Sequence, residues 1–146
     1  MPIVPPAAAP GSGAVPRALV IDDSELARSY VSGLLNAAGF DVFTLASAIG
    51  ATRAIVQNRI SVVVVDVSMP GLNGDKLVGV LRSNSRLSNL VIIVISAKPA
   101  HELEQIAAET EADAVLNKEE LEQRLVPLIR NLLRARSAVR DSGAAL

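Results

Sequence analysis

The residue whose position suggests chemistry most clearly is Asp66, which follows four consecutive valines and precedes a Met-Pro-Gly turn. A run of four valines is typical of a strand buried on both faces of a parallel sheet. Ligands bind at the carboxyl ends of such strands. The turn should leave the Asp66 carboxylate exposed, where it can act as a nucleophile and form an aspartyl phosphate.

Two further carboxylates, Asp22 and Asp23, directly follow the first apolar run, Ala18–Ile21. If this run and the valine run form neighbouring strands, three carboxylates lie at one sheet edge and repel one another unless a cation lies among them. Mg²⁺ suits such a site because it prefers oxygen ligands and is the usual partner of phosphate. The pattern therefore predicts Mg²⁺ beside Asp66, where it would neutralise charge during in-line phosphoryl transfer.

Two more strand ends carry residues that suit a phosphate. The run Leu90–Ile95 ends at Ser96, whose hydroxyl could donate to a phosphoryl oxygen, and the run Ala112–Asn117 ends at Lys118, whose ammonium could pair with it. Taken singly, each candidate has an ordinary explanation as a helix cap, a turn residue, a loop hydroxyl or a solvated lysine. Their shared position at four strand ends favours one phosphate site.

These residues, in this order, strongly resemble the receiver domain of two-component response regulators, from about Arg17 to about Arg136. The Asp-x-x-Met-Pro-Gly-x-x-Gly motif at Asp66 is intact. The resemblance implies that Asp66 is the phospho-acceptor. It implies that Mg²⁺ is held by Asp22, Asp23, Asp66 and the backbone carbonyl of Ser68. Ser96 would be the conformational-switch hydroxyl, and Lys118 would be the lysine that pairs with the phosphate.

The same resemblance implies the partners. A histidine kinase or phosphotransfer protein would supply the phosphoryl group, and a downstream protein would bind the face made by the fourth helix, fifth strand and fifth helix. We also expect a cytoplasmic protein, since the lack of cysteine fits a reducing compartment, and the sequence leaves open whether it is a monomer or a homodimer. The chain would not be an enzyme with turnover, since its only chemistry would be its own phosphorylation and dephosphorylation.

Two positions depart from the family pattern. Val115 stands where receivers usually carry a Phe or Tyr that swings inward when the switch hydroxyl binds phosphate, and Glu119 stands where a cis proline usually follows the lysine. The Lys118-Glu119 bond should be trans. The departures favour, as an alternative, an interaction module that works without phosphate. An aspartate-nucleophile phosphatase is a third possibility, but its Asp-x-Asp pattern would need an acid at position 68.

Composition is that of a single compact domain. The chain has 146 residues, half of them hydrophobic, and a net charge of −1. A near-neutral charge argues against direct binding to nucleic acid or to a membrane surface. The chain has no cysteine, which excludes disulfides and thiol chemistry.

The pattern of apolar runs predicts five strands alternating with five helices. This order predicts a doubly wound α/β fold, flavodoxin-like, with a parallel sheet in the order 2-1-3-4-5. Pro127 should kink the last helix or break its first turn. The predicted regions are a disordered Pro/Ala/Gly-rich leader at 1–16, one receiver domain at 17–136 and a flexible tail at 137–146. The predicted helices are Ser24–Ala38, Ser47–Gln57, Gly74–Arg82, Pro99–Glu109 and Glu119–Arg136, and Ser47 is the predicted N-cap of the second.

Overall fold

The computed structural model describes residues 15–67 and 74–144, and in this part five parallel strands form one sheet in the order β2-β1-β3-β4-β5. The strands are β1 (Arg17–Ile21), β2 (Asp41–Leu45), β3 (Val62–Asp66), β4 (Val91–Ser96) and β5 (Ala114–Asn117). The helices are α1 (Glu25–Ala37), α2 (Ala51–Asn58), α3 (Gly74–Arg82), α4 (Ala100–Glu109) and α5 (Leu121–Ala144). The predicted fold is confirmed.

The sheet is covered on both faces, which explains why its strands are apolar without alternation. Successive strand side chains point to opposite faces. One set of strand side chains packs with Ile55 of α2 and Leu81 of α3. The other set packs with Leu35 of α1 and Leu125 and Ile129 of α5. Each such aliphatic side chain, fully buried, stabilises the fold by roughly 1.5–3 kcal/mol.

The register of the strands places the predicted site residues at one edge of the sheet. Ile21 pairs with Val65, so Asp22 lies level with Asp66. Asp66 itself pairs with Ile95, one residue before Ser96. Ser96 pairs with Asn117, one residue before Lys118. The parallel pairing therefore brings four chain segments, distant in sequence, to the same end of the sheet.

The prediction that α2 begins near Ser47 and that Ser47 caps it is wrong. The Ser47 hydroxyl accepts a hydrogen bond from the Ile49 backbone N–H at 3.3 Å, which closes a local turn. The helix begins at Ala51, after Gly50 with φ of 82°. This left-handed backbone is easy only for glycine, so Gly50 determines where the helix can begin.

The last helix also differs from its prediction. It is preceded by a 3₁₀ turn at Lys118–Glu120 and continues past Arg136 to Ala144. Pro127 lies inside this helix, which is continuous on both sides of it, and the predicted kink stays a prediction. Proline removes one backbone hydrogen bond, but Leu125 and Ile129 are fully buried on either side of it, and their packing holds the helix together.

The predicted domain boundaries stay predictions, because residues 1–14 and the last two residues lie outside the described part of the chain. Within residues 15–67 and 74–144, no helix combines the length and apolar character needed to cross a membrane.

Candidate functional site

Three carboxylates meet at the carboxyl ends of β1 and β3. Asp22, Asp23 and Asp66 each present an oxygen within 4.8 Å of the others. Asp22 and Asp66 are buried, with exposures of 0% and 4%, whereas Asp23 is exposed. The expectation that Asp66 would be exposed is wrong, because Asp66 is still the last paired residue of β3 and is bonded into the sheet beside Ile95.

Asp22 is held in place on all sides. Its Oδ1 accepts a hydrogen bond from the Ser24 backbone N–H at 2.9 Å, and its backbone oxygen accepts one from the Arg28 guanidinium at 2.7 Å. Ser24 then caps α1, since its hydroxyl accepts from the Ala27 N–H at 3.1 Å. These bonds fix the Asp22 carboxylate against the first turn of α1.

Lys118 reaches the cluster from the end of β5. Its Nζ donates to Asp22 Oδ2 at 3.0 Å and to Asp66 Oδ2 at 3.4 Å. Burial by itself would lower the pKa of Lys118, but the hydrogen bonds and negative charges of Asp22 and Asp66 outweigh burial and raise the pKa above 10.5. Lys118 is therefore a full positive charge at neutral pH, placed between two buried carboxylates.

Ser96 is fully buried as the last residue of β4. Its Oγ accepts a hydrogen bond from the Lys98 backbone N–H at 3.0 Å, and a hydroxyl that accepts one bond can still donate its own hydrogen. Ser68, predicted to offer a backbone carbonyl, lies outside the described residues.

The two departures from the family pattern both lie close to the site. Val115 is half-buried and packs against the core cluster that includes Ile92 and Val94. The bond between Lys118 and Glu119 is trans, as predicted, because the described residues contain no cis peptide.

Asn117 is a site residue that the sequence analysis did not single out. Its Oδ1 accepts from the Glu119 N–H at 2.7 Å, and its Nδ2 donates to the Lys98 carbonyl at 2.7 Å. The first bond caps the 3₁₀ turn that follows β5. The sequence does carry a signal for this cap, since asparagine followed by acidic residues is typical of a helix start.

The donor set suits a hard divalent cation. Three carboxylates and one ammonium leave two formal negative charges at the cluster. All three carboxylates offer oxygen ligands, which Mg²⁺ prefers. Asp23 is exposed, so one side of the cluster is open to water. The residues present therefore fit a magnesium ion with retained water.

Comparison with known proteins agrees with this arrangement. Residues 18–130 match the family model for the response regulator receiver domain. The chain is 30% identical over 129 residues to the transcriptional regulatory protein PrrA of Mycobacterium tuberculosis, an alignment that covers 88% of this chain and 54% of that relative. It is 30% identical over 82 residues to protein PilG of Pseudomonas aeruginosa, covering 56% of this chain and 61% of PilG. The chain spans only about half the length of the first of these relatives.

Solved structures show the same fold. The chemotaxis protein CheY4 of Vibrio cholerae superposes with a TM-score of 0.73 at 28% identity, covering 82% of this chain and all of that one. A response regulator receiver domain from Clostridium thermocellum gives 0.75 at 24% identity, covering 86% and 99%. The family model matches most of this chain, and the three carboxylates lie at the sheet edge where the resemblance places them. This chain therefore belongs to the receiver domain family of two-component response regulators.

Proposed function

We propose that this receiver accepts a phosphoryl group on Asp66, with Mg²⁺ bound, and that phosphorylation changes its contacts with other proteins. The observation that supports this most strongly is the cluster itself. Three carboxylates lie within 4.8 Å of one another, and Lys118 bonds to two of them. A purely structural ion pair would need only one acid beside the lysine.

The chemistry follows from the positions of the side chains. An Asp66 oxygen forms a P–O bond with the phosphoryl group of a phosphohistidine, while the P–N bond breaks and the histidine nitrogen keeps the electron pair. Asp22 and Asp23, with Asp66 and the Ser68 carbonyl, would hold Mg²⁺, which would offset the negative charge of the transferring oxygens. The chain performs this reaction on itself, without turnover of a separate substrate.

Two residues would then bind the phosphoryl group. Lys118 already lies 3.4 Å from Asp66 Oδ2, so its ammonium can pair with a phosphoryl oxygen attached there. Ser96 ends the neighbouring strand, and its hydroxyl can turn to donate to a second oxygen. Both side chains would bind phosphoryl oxygens, so the conformation in which they reach Asp66 is favoured only after phosphorylation. A switch requires this difference between the two forms.

The donor would be a histidine kinase or phosphotransfer protein in the cytoplasm. The output would be a protein, or a second copy of this chain, that binds the face made by α4, β5 and α5. That face adjoins the proposed site, because β5 ends at Asn117 and Lys118 begins the turn into α5. A partner that binds both forms equally would not be switched by phosphate.

Intact mass spectrometry after incubation with acetyl phosphate and Mg²⁺ tests this proposal. We expect one added phosphate, which does not form when a chelator removes Mg²⁺ from the incubation and does not form in Asp66→Asn. Asp41→Asn is a matched control, because Asp41 begins β2 at the opposite end of the sheet. An adduct that persists in Asp66→Asn, or none with wild type, would contradict the proposal.

The alternative is an interaction module that keeps the fold but does not use phosphate. Val115 favours it, since the half-buried valine cannot make the movement of a buried aromatic ring. A partner isolated with the full-length protein distinguishes the two functions. Binding that is unchanged in both Asp66→Asn and Asp66→Ala supports the module, whereas binding that requires phosphorylation supports the switch.

A further inference from the structure

We infer that the Asn117 side chain transmits the phosphorylation signal from Ser96 to the start of the last helix, replacing an aromatic residue at position 115. This inference rests on the proposed function, because it concerns how a phosphoryl group on Asp66 is sensed. It assigns to Asn117 a positioning role that differs from capping alone.

Three consecutive hydrogen bonds connect Ser96 to the turn at the start of the last helix. The Ser96 Oγ accepts from the Lys98 N–H at 3.0 Å. The Lys98 carbonyl accepts from Asn117 Nδ2 at 2.7 Å. The Asn117 Oδ1 accepts from the Glu119 N–H at 2.7 Å. The loop after β4 is thus bonded, through one side chain, to the turn that begins α5.

A phosphoryl group on Asp66 disturbs the first of these bonds. When the Ser96 side chain rotates about its Cα–Cβ bond to bring the hydroxyl to a phosphoryl oxygen, its Oγ leaves the position in which it accepts from the Lys98 N–H. The Lys98 peptide then shifts, since a partly buried N–H left without an acceptor is costly. The Lys98 carbonyl belongs to the same loop, and its bond to Asn117 moves with it.

The amide of Asn117 is suited to pass this shift onward. A planar carboxamide places its donor and acceptor at fixed positions, so movement at Nδ2 changes the position of Oδ1. Oδ1 holds the N–H of Glu119, the neighbour of Lys118. The signal from Ser96 therefore reaches the same turn that the Lys118 side chain ties to Asp22 and Asp66.

The surroundings allow the movement at low cost. A cleft of about 480 Å³ separates the loop and the start of α4 from the 3₁₀ turn, and it is lined by Ala97, Pro99, Ala100, Leu103, Asn117, Glu119 and Glu120. No residue of α4 is fully buried. An element with few buried contacts moves without losing much packing energy.

Amide chemical shifts in ¹⁵N-labelled full chain test the inference, with beryllofluoride and Mg²⁺ as the phosphoryl mimic. The variant is Asn117→Asp, because a carboxylate still accepts from the Glu119 N–H but cannot donate to the Lys98 carbonyl. Asn84→Asp is the matched control. Asn84 caps the other 3₁₀ turn, Ser85–Leu87, by accepting from the Arg86 N–H at 3.0 Å.

In wild type and Asn84→Asp, we expect the mimic to shift the amides of Lys98 and of Glu119 to Leu121. In Asn117→Asp, the Lys98 shift should remain, and the shifts at Glu119 to Leu121 should be lost, because the hydrogen bond from Asn117 to the Lys98 carbonyl is absent. Asn117→Ser, which keeps a capping oxygen but is too short to reach Lys98 as well, should behave like Asn117→Asp.

Shifts at Glu119 to Leu121 that equal those of wild type in both Asn117 variants would overturn the inference and leave the proposed function intact. A merely structural cap gives this result, because both variants retain it. The absence of any mimic-dependent shift in wild type would instead overturn the proposed function, and the inference with it.

Discussion

At the level of single residues, one ammonium group sets the charge balance of the site. Lys118 Nζ lies between Asp22, whose side chain is fully buried, and Asp66. A buried carboxylate that loses its cation is strongly destabilising. If Asp66 is phosphorylated as proposed, the phosphoryl group would draw Lys118 toward itself while another cation compensates Asp22, which would link phosphate binding to the proposed metal site.

We expect Lys118→Met to remove a pH-dependent part of the stability. The pKa of Lys118 is raised above 10.5 in the folded chain, since its bonds and charge interactions with Asp22 and Asp66 outweigh burial. A raised pKa contributes stability that is complete below the unfolded value and is lost as pH rises through the folded value. The difference in the free energy of unfolding between wild type and variant should therefore be constant near neutral pH and shrink above about pH 10.5.

Urea unfolding between about pH 8 and about pH 12 measures this difference. Lys98→Met is the control, because Lys98 is exposed and forms no ion pair among the described residues. Its difference from wild type should stay flat over the whole range. A flat difference for Lys118→Met as well would mean that the ammonium does not stabilise the two carboxylates in solution.

The sequence located the side chains of the proposed site but not their exposure. Asp22, Asp66, Ser96 and Lys118 were predictable because each follows an apolar run, and parallel strands align their carboxyl ends. The burial of Asp66 was not, since it depends on pairing with β4. The role of Asn117 was also missed, because its bond to Lys98 joins loops that only the folded sheet brings together.

Among the elements, the strands and α3 matched their predictions best, while helix ends did so least. Strand positions follow from apolar runs that both faces of the sheet must bury. The start of α2 depends instead on the left-handed backbone of Gly50. The prediction placed the start at Ser47 because serine is a common N-cap residue. The end of α5 lies beyond Arg136 because nothing in that stretch stops a helix before Gly143.

We expect Arg59→Gly to stabilise the fold. Arg59 ends α2 in a left-handed conformation, with φ of 53° and ψ of 51°, which a residue with a Cβ adopts at a cost. Glycine avoids this cost, so the free energy of unfolding should rise by about 0.5–1 kcal/mol. Arg53→Gly, inside the same helix, should lower it by about 1 kcal/mol. Urea unfolding of both variants checks the opposite signs, and a loss in both would contradict the expectation.

Asp113 should be important for stability and irrelevant to phosphorylation. Its Oδ2 accepts from Arg82 Nη2 at 2.7 Å and from the Ile92 N–H at 2.8 Å, and its Oδ1 accepts from Arg136. This network joins the end of α3 to β4 and α5. Removing it by Asp113→Ala leaves Arg82 without its acid, so we expect a loss of about 2–3 kcal/mol in urea unfolding.

Asp41→Ala is the matched comparison for Asp113→Ala. Its pair with Arg17 is long, at 3.7 Å, and both side chains are more than a third exposed. Such a pair contributes less than about 1 kcal/mol. Both variants should take up phosphate from acetyl phosphate like wild type. Asp113 and Asp41 lie at the amino ends of β5 and β2, at the opposite edge of the sheet from the carboxylate cluster. A phosphorylation defect in Asp113→Ala with an intact fold would show that the network also controls the site.

Across the whole molecule, the site concentrates negative charge in a chain whose net charge is only −1. A cation bound there should stabilise the folded state by mass action, by about 2.7 kcal/mol at a concentration one hundred times its dissociation constant. Asp23→Asn should remove most of this gain, and it should raise the metal-free stability slightly, because it removes one of three carboxylates that repel one another. Urea unfolding with and without Mg²⁺ checks both parts, and an undiminished Mg²⁺ effect in Asp23→Asn would exclude Asp23 as a ligand.

The most direct measurement identifies which residue carries the phosphoryl group. Borohydride reduces an aspartyl phosphate to homoserine, so reduction after acetyl phosphate treatment, followed by peptide mass mapping, marks the phosphorylated residue permanently. The account predicts homoserine at position 66 in wild type, dependent on Mg²⁺. Homoserine at Asp22 or Asp23, or none anywhere in a chain that carries added phosphate, would contradict it.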